Sequence, residues 1–413
     1  MTPSHLQKLQ PESLAVPLAG RKKVLCVIGT RPEAIKMAPV IQALRQAPGR
    51  FITHVCSTGQ HRAMLDQVLD LFKIAVDYEL SVMQPDQNPA SVAGLILQRI
   101  CPVLVGFKPD WLLVQGDTVT VTSAALAAFY HRVKVGHVEA GLRTDDRWQP
   151  FPEEINRRVA GAIAERHFAA TPWAKENLIR ENVNPSEIVV TGNTVIDALH
   201  AALKLAPSKT AQRLTDVGGR RIILVTLHRR ENLGNPLTDV IAALRRLCLD
   251  YRDSLQVIFP VHLNPNVQQP VRDGLGGIPN ISLVDPLDYG TLIHVLAKSH
   301  LVLTDSGGLQ EEAPSLGKPV LVMRRTTERP EAVDAGTVKL VGTDTATILG
   351  EARSLLEDPV RYNAMSRAIN PYGDGHAAER IIASLSGNPL PDFAVTENEV
   401  SPCQKELVAC QFP

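Results

Sequence analysis

The sequence predicts an α/β protein built from two Rossmann-like, doubly wound parallel sheets that face one another across a central cleft. Three observations carry this reading. Short apolar runs, each closed by a glycine or a polar cluster, alternate with stretches of helical period; the alternation restarts after about residue 215; and the most unusual polar residues fall where the runs end. Buried parallel strands read as such short apolar runs, and their alternation with helices implies β-α-β units. Ligands bind beyond the carboxyl ends of the strands in open sheets of this kind, and Arg31, Asp117, Glu139, His228, His262 and Ser306 stand at those ends.

In the first half, residues 24–28 close on Gly29-Thr30, 51–56 on Ser57-Thr58-Gly59, 111–114 on Gln115-Gly116-Asp117, and 133–138 on Glu139-Ala140-Gly141. Residues 39–46 and 64–72 have helical period. Residues 199–220, a helix followed by a polar, glycine-containing stretch, read as a hinge. In the second half, residues 222–226 close on Leu227-His228-Arg229-Arg230-Glu231, 256–259 on Pro260-Val261-His262, 281–284 on Asp285-Pro286, 301–303 on Thr304-Asp305-Ser306-Gly307-Gly308, and 320–323 on Arg324-Arg325. The resulting division is a disordered extension over 1–20, a first domain over 21–195, a second over 196–388 whose last helix can cross back to the first, and a flexible tail over 389–413.

Composition agrees with a globular chain. At about 150 residues per domain, 413 residues make two or three domains. Lys plus Arg and Asp plus Glu are both 43, so the zero net charge argues against a nucleic-acid or anionic-membrane partner. The six cysteines form no C-x-x-C pair, which speaks against zinc or a disulfide framework and for a reduced compartment. No apolar run approaches the 18 or more residues of a membrane span, and the first twenty residues do not read as a signal peptide.

Two phosphate-binding turns can be read from the residues. Gly29-Thr30-Arg31-Pro32-Glu33 follows the first strand and opens a helix, with Arg31 and Lys36 adding positive charge. Ser306-Gly307-Gly308 does the same in the second half, where backbone N–H groups and the Ser306 hydroxyl can cradle a diphosphate. Glu312, one turn on, could accept both hydroxyls of a ribose, and Arg324 and Arg329 supply cations from the next strand. Asp117, Glu139 and the Glu153-Glu154 pair could converge to move protons, their crowding raising one another's pKa. Each of these acids alone could equally cap a helix. His228, flanked by arginine, could donate to a phosphate or a leaving oxygen; His262 stands at the next strand end, and His137 reads as a packing residue. No metal-ligand spacing and no Gly-x-Ser-x-Gly elbow is present.

The segments GTRPEAIKMAP, QHRAMLDQVLDLF, QGDT, GHVEAGLRT, PEEINRR, TGNTVIDAL, HRREN, PVHLNPNV, LTDSGGLQEEAPSLGKPVLVMR, TTERPEAV and NPYGDG run in order from residue 29 to 375. In them the chain closely resembles the bacterial non-hydrolysing UDP-N-acetylglucosamine 2-epimerases. The resemblance implies two Rossmann-like domains in a GT-B-like arrangement. It also implies interconversion of UDP-GlcNAc and UDP-ManNAc by UDP elimination to a 2-acetamidoglucal and re-addition after reprotonation from the other face. On this likeness Asp117, Glu139 and Glu153 are the acid/base group, and His228 joins them from the diphosphate side. Arg31, Lys36, Ser306, Gly307, Gly308 and Arg329 hold the diphosphate, and Glu312 the ribose. Gln60, Glu154, Arg229 and His262 match a region where a second UDP-GlcNAc binds as activator. The resemblance implies a nucleotide-sugar substrate, a homodimer, a cytoplasmic location and no metal or nicotinamide cofactor.

The chain departs from the family's pattern in places. Leu227 stands where a glycine is usual before the histidine. Leu287 and Leu292, in DPLDYGTL, occupy the uracil-facing positions, so a backbone contact to uracil can survive but an aromatic stack cannot. Ala63 replaces a longer polar side chain and predicts weaker activator binding. A glycosyltransferase of the same architecture, a hydrolysing epimerase and a nucleotide-sugar sensor are the competing readings; the acid triplet counts against the first and the last.

Overall fold

The computed structural model describes residues 20–59, 62–84 and 87–394. Seven parallel strands form the first sheet: β1 (Lys22–Ile28), β2 (Phe51–Ser57), β3 (Tyr78–Glu79), β4 (Trp111–Gln115), β5 (Lys134–Ala140), β6 (Arg166–Ala169) and β7 (Ile188–Val190), in the order β3-β2-β1-β4-β5-β6-β7. Six form the second: β8 (Arg221–Thr226), β9 (Leu255–Pro260), β10 (Ile281–Val284), β11 (Leu301–Thr304), β12 (Val320–Val322) and β13 (Val338–Leu340), ordered β10-β9-β8-β11-β12-β13. Both sheets reverse direction beside their first strand. The crevice at such a switch point is open for a ligand, and here it lies beyond β1 and β4 in one sheet and β8 and β11 in the other.

All nine strands read from the sequence are present. The four others, β3, β6, β7 and β13, have two to four residues each, too short to give an alternation signal. The first helix runs Arg31–Arg45 rather than starting at Pro39, which sits inside it. It begins so early because Glu33 reaches back to accept from the N–H groups of Gly29 (2.5 Å) and Thr30 (2.9 Å), closing the first turn. Gly29 tolerates no side chain, since a Cβ would strike the Thr58 and Thr120 hydroxyls.

Helices Arg31–Arg45 and Thr194–Leu203 pack together through Met37, Val40, Ile41 and Leu44 against Val195, Ile196 and Leu199, within one apolar cluster that extends to Leu224 and Val302 of the second sheet. The last helix, Ala377–Ser386, returns to the first half and lays Ile381, Ile382 and Leu385 into the same cluster. Lys22 Nζ donates to the Leu385 carbonyl (2.6 Å). The flexible tail expected from residue 389 does not begin there: Phe393 is buried and its N–H donates to the Val190 carbonyl (2.7 Å), while Asp392 accepts from the Val190 N–H (3.1 Å).

The expectation that no segment approaches a membrane span also needs correction. Helix Pro89–Phe107 is long and apolar enough by length and composition to cross one. In the fold, Val92, Ile96, Ile100, Val103, Leu104 and Phe107, at helical spacing, bury one face of it in the core on that side of the first sheet.

Candidate active site

A cavity of about 570 Å³ opens between the carboxyl ends of the two sheets. Thr30, Arg31, Ile35 and Lys36 line it from the first half; His228, Arg229, His262, Leu287, Leu292, Ser306, Gly307, Gly308, Glu312, Glu328 and Arg329 line it from the second. Twelve residues expected to bind or react therefore surround one space. The acids Asp117, Glu139 and Glu153 are not in its lining; Lys36, which is, joins Glu139 to it.

The second-half wall is organised by Asp305, which follows β11 and has no exposed surface. Its carboxylate accepts from the backbone N–H groups of His228 (3.0 Å) and Arg229 (2.8 Å), from Asn232 Nδ2 (3.1 Å) and from His228 Nδ1 (2.9 Å). Burial works to raise the Asp305 carboxyl, but these donors hold it below the usual carboxylate range. The contact leaves His228 Nε2 as the ring nitrogen free to meet a ligand. Ser306 opens helix Gly307–Ser315, and the Arg329 guanidinium lies so close over Gly307 that a Cβ there would come within 2.6 Å of Nη1. Glu312 is buried and accepts from the Tyr289 hydroxyl (2.9 Å); burial pushes its carboxyl up to about 7. Arg31 donates to the Leu287 carbonyl (3.3 Å), bringing that residue's backbone to the cavity from the far side.

Glu139 lies within β5, not after it, with φ at +62°, beside a register irregularity between β5 and β6. Such a backbone costs roughly 1–3 kcal/mol for a residue other than glycine and re-aims the side chain out of the sheet. The carboxylate is then held by Lys36 Nζ, Gln115 Nε2 and Asn193 Nδ2 (2.9 Å). Asp117 accepts from Arg157 Nη2 (2.5 Å). The expected mutual raising of the acids holds for two of them. Burial raises Asp117 against the pull of Arg157, with Glu139 adding to the rise, and burial and Asp117 raise Glu153. At Glu139 the direction reverses: burial would raise it, but Lys36 and Arg329 outweigh burial and hold it low.

The activator region is divided. Gln60 lies outside the described residues. Arg229 and His262 line the same cavity as the Ser306-Gly307-Gly308 turn. Glu154, placed with them from sequence, is fully buried and occupied internally, accepting from the Thr144 N–H (3.1 Å), the Thr144 hydroxyl (3.1 Å) and Arg158 Nε (3.0 Å). It is not in the lining of this cavity, and its hydrogen bonds brace the Thr144 turn.

Sequence reasoning passed over Asn193, Glu311, Asp305 and Glu328. All four stand in quoted motifs, Asn193 in TGNT, Asp305 in LTDSGG, Glu311 in LQEE and Glu328 in TTERP. Key partners, however, come from distant segments: Asn193 Nδ2 donates to Glu139 and to Glu311 (3.0 Å), 54 and 118 residues away, and Glu328 accepts from Arg229, 99 residues away.

The family model for UDP-N-acetylglucosamine 2-epimerase matches residues 42–386. The chain belongs to that family. An Escherichia coli K12 UDP-N-acetylglucosamine 2-epimerase is 52% identical over 375 residues, covering 89% of this chain and 99% of the relative. The Bacillus subtilis 168 enzyme of the same name is 51% identical over 363 residues, covering 88% and 94%. Among solved structures, the Neisseria meningitidis UDP-GlcNAc 2-epimerase bound to UDP-GlcNAc superposes with a TM-score of 0.82 at 47% identity, over 89% of this chain and all of that one. The epimerase-family fold is thus GT-B-like: two parallel α/β sheets about one cleft.

Proposed function

We propose that the protein reversibly epimerises UDP-GlcNAc and UDP-ManNAc at C2 by eliminating UDP and adding it back, without releasing free sugar and without a metal or nicotinamide. One observation carries this reading: a cavity lined by cations and a Ser-Gly-Gly helix start is joined through Lys36 to a buried carboxylate of the acid group. Uniting the two halves matters because the C2 proton of the sugar is too weakly acidic to be removed alone. Its departure must accompany cleavage of the C1–O bond, whose electrons leave with the diphosphate, giving a C1=C2 double bond.

Each wall has a task. Ser306, the Gly307 and Gly308 backbone, Arg329, Lys36 and Arg31 stabilise the charge on the departing UDP and retain it. His228, with Nδ1 fixed on Asp305, offers Nε2 to a diphosphate oxygen. Glu139, held ionised, fits the proton acceptor; Asp117, raised by burial, fits the donor on the return, with Glu153 beside it. The proton then returns to the other face of C2 while a UDP oxygen attacks C1. Glu312 and the Leu287 backbone suit the ribose and the uracil.

UDP-GlcNAc carrying ¹⁸O in the bridge between C1 and the β-phosphorus tests this. Bond cleavage and return should move the label into the non-bridging β-phosphate positions while UDP-ManNAc accumulates. A label that stays in the bridge, or free ManNAc as the only product, would overturn the reading.

A further inference from the structure

The cations that line the cavity are not idle. Lys36 is paired with Glu139 and lies 3.7 Å from Glu311. Arg329 binds Glu311 through Nε (2.6 Å) and Glu328 through Nη1 (2.7 Å). Arg229 reaches Glu328 (3.3 Å), which also holds Arg324 (2.8 Å). Glu311 is 1% exposed and receives a further hydrogen bond from Asn193, the same amide that serves Glu139. Three cavity cations thus face three carboxylates, all at least four-fifths buried.

A diphosphate cannot simply be added to such an arrangement. A dianion placed beside Lys36, Arg229 and Arg329 would meet Glu139, Glu311 and Glu328 at close range in a poorly screened interior. The same cations cannot neutralise both sets at full strength. We propose that Glu139, Glu311 and Glu328 are internal counter-ions of the cradle, which a nucleoside diphosphate displaces from Lys36, Arg329 and Arg229 as it enters, so that diphosphate loading frees Glu139 for proton transfer. The inference rests on the reading of the site as a nucleoside-diphosphate cradle and adds an order of events to it. Glu139 is tied to Lys36 until the leaving group is seated, and the carboxylates reclose on the cations when it departs. Glu311 and Glu328 act through the cations and are positioning residues, not catalytic ones.

The consequence is unusual for residues so close to a ligand: removing their charge should strengthen binding. Glu311→Gln and Glu328→Gln keep the shape and drop the charge. Titrated calorimetrically with UDP, each should bind about tenfold more tightly than the unaltered protein, the size of one charge-assisted hydrogen bond no longer in competition. The double variant should gain less than the product of the two, because both carboxylates hold Arg329. Uridine, which has no diphosphate, should bind all forms alike. Glu331→Gln serves as a control: Glu331 accepts from Thr171 (2.8 Å) and feels Arg329 only through space, with no ion pair to it, so UDP affinity should stay within about twofold.

Unchanged or weakened UDP binding in folded Glu311→Gln or Glu328→Gln overturns the counter-ion role. An equal gain in Glu331→Gln also overturns it, by reducing the effect to overall charge. If Glu311→Gln does not fold, Glu328→Gln decides, since its carboxylate is the more exposed, 17% against 1%. Failure of the unaltered protein to bind UDP at all would instead remove the nucleotide reading itself, and the counter-ion role with it.

Discussion

Glu312 and Glu139 show how one kind of side chain is set to two opposite protonation behaviours, which fit the two tasks proposed for them. Both are buried, but Glu139 is surrounded by cations and amide donors, whereas Glu312 accepts from the Tyr289 hydroxyl and is pushed up by burial to about 7. The ionised form of Glu312 is the one suited to accept two ribose hydroxyls. A carboxyl whose pKa is raised ionises only as pH climbs through that value. Uridine affinity should therefore rise with pH by up to about tenfold per unit below about 7, the slope of one linked proton, and level off above it. In Glu312→Gln the affinity should be lower and flat across that range; titration by ligand-detected NMR checks both. Acidic residues at strand ends were legible in the sequence because a parallel sheet puts its functional residues there. The sign of the Glu139 shift was not. It depends on Lys36, Asn193 and Arg329 arriving from three distant segments, and no local pattern records that meeting.

Among the secondary-structure elements, the long strands and their closing turns were readable, whereas the two- to four-residue strands and the route of the last helix depend on tertiary contacts. Helix Ala377–Ser386 is also fixed to the first half by hydrogen bonds at its start. Asp197, on helix Thr194–Leu203, accepts from the N–H groups of Ala377 (3.2 Å) and Ala378 (2.9 Å), satisfying two groups that a helix start leaves unpaired. Arg380 adds bonds to Asp374 (2.6 Å) and to the Thr191 carbonyl (3.1 Å). Asp197→Ala should cost about 1 kcal/mol, the usual value of a lost helix cap, and raise hydrogen exchange first in the Ala377–Ser386 helix. Thermal unfolding together with exchange mass spectrometry checks this. An unchanged exchange pattern would mean that apolar packing alone, through Ile381, Ile382 and Leu385, holds the crossing.

Taken together, the two sheets divide the labour. The first holds Asp117, Glu139 and Glu153 and lends Lys36 to the cavity; the second supplies His228, Ser306, Glu312 and Arg329. On the proposed roles the first half holds the proton carriers but only Arg31 and Lys36 of the cradle, and the second half holds the rest of the cradle, so turnover requires a ligand that touches both. This division was foreseeable from the restarted strand–helix alternation and the placement of motifs on either side of residue 215. The ion-pair chain across the cleft was not, because its members look like ordinary helix and loop charges until the halves meet. The most direct test is incubation with UDP-GlcNAc in deuterated water, following C2 by proton NMR. Deuterium should enter C2 of UDP-ManNAc and, on return, of UDP-GlcNAc, and Asp117→Asn should slow that exchange by about a hundredfold or more, as loss of an acid/base group does. UDP-ManNAc formed with its C2 proton fully retained from the starting sugar would contradict proton transfer by these carboxylates.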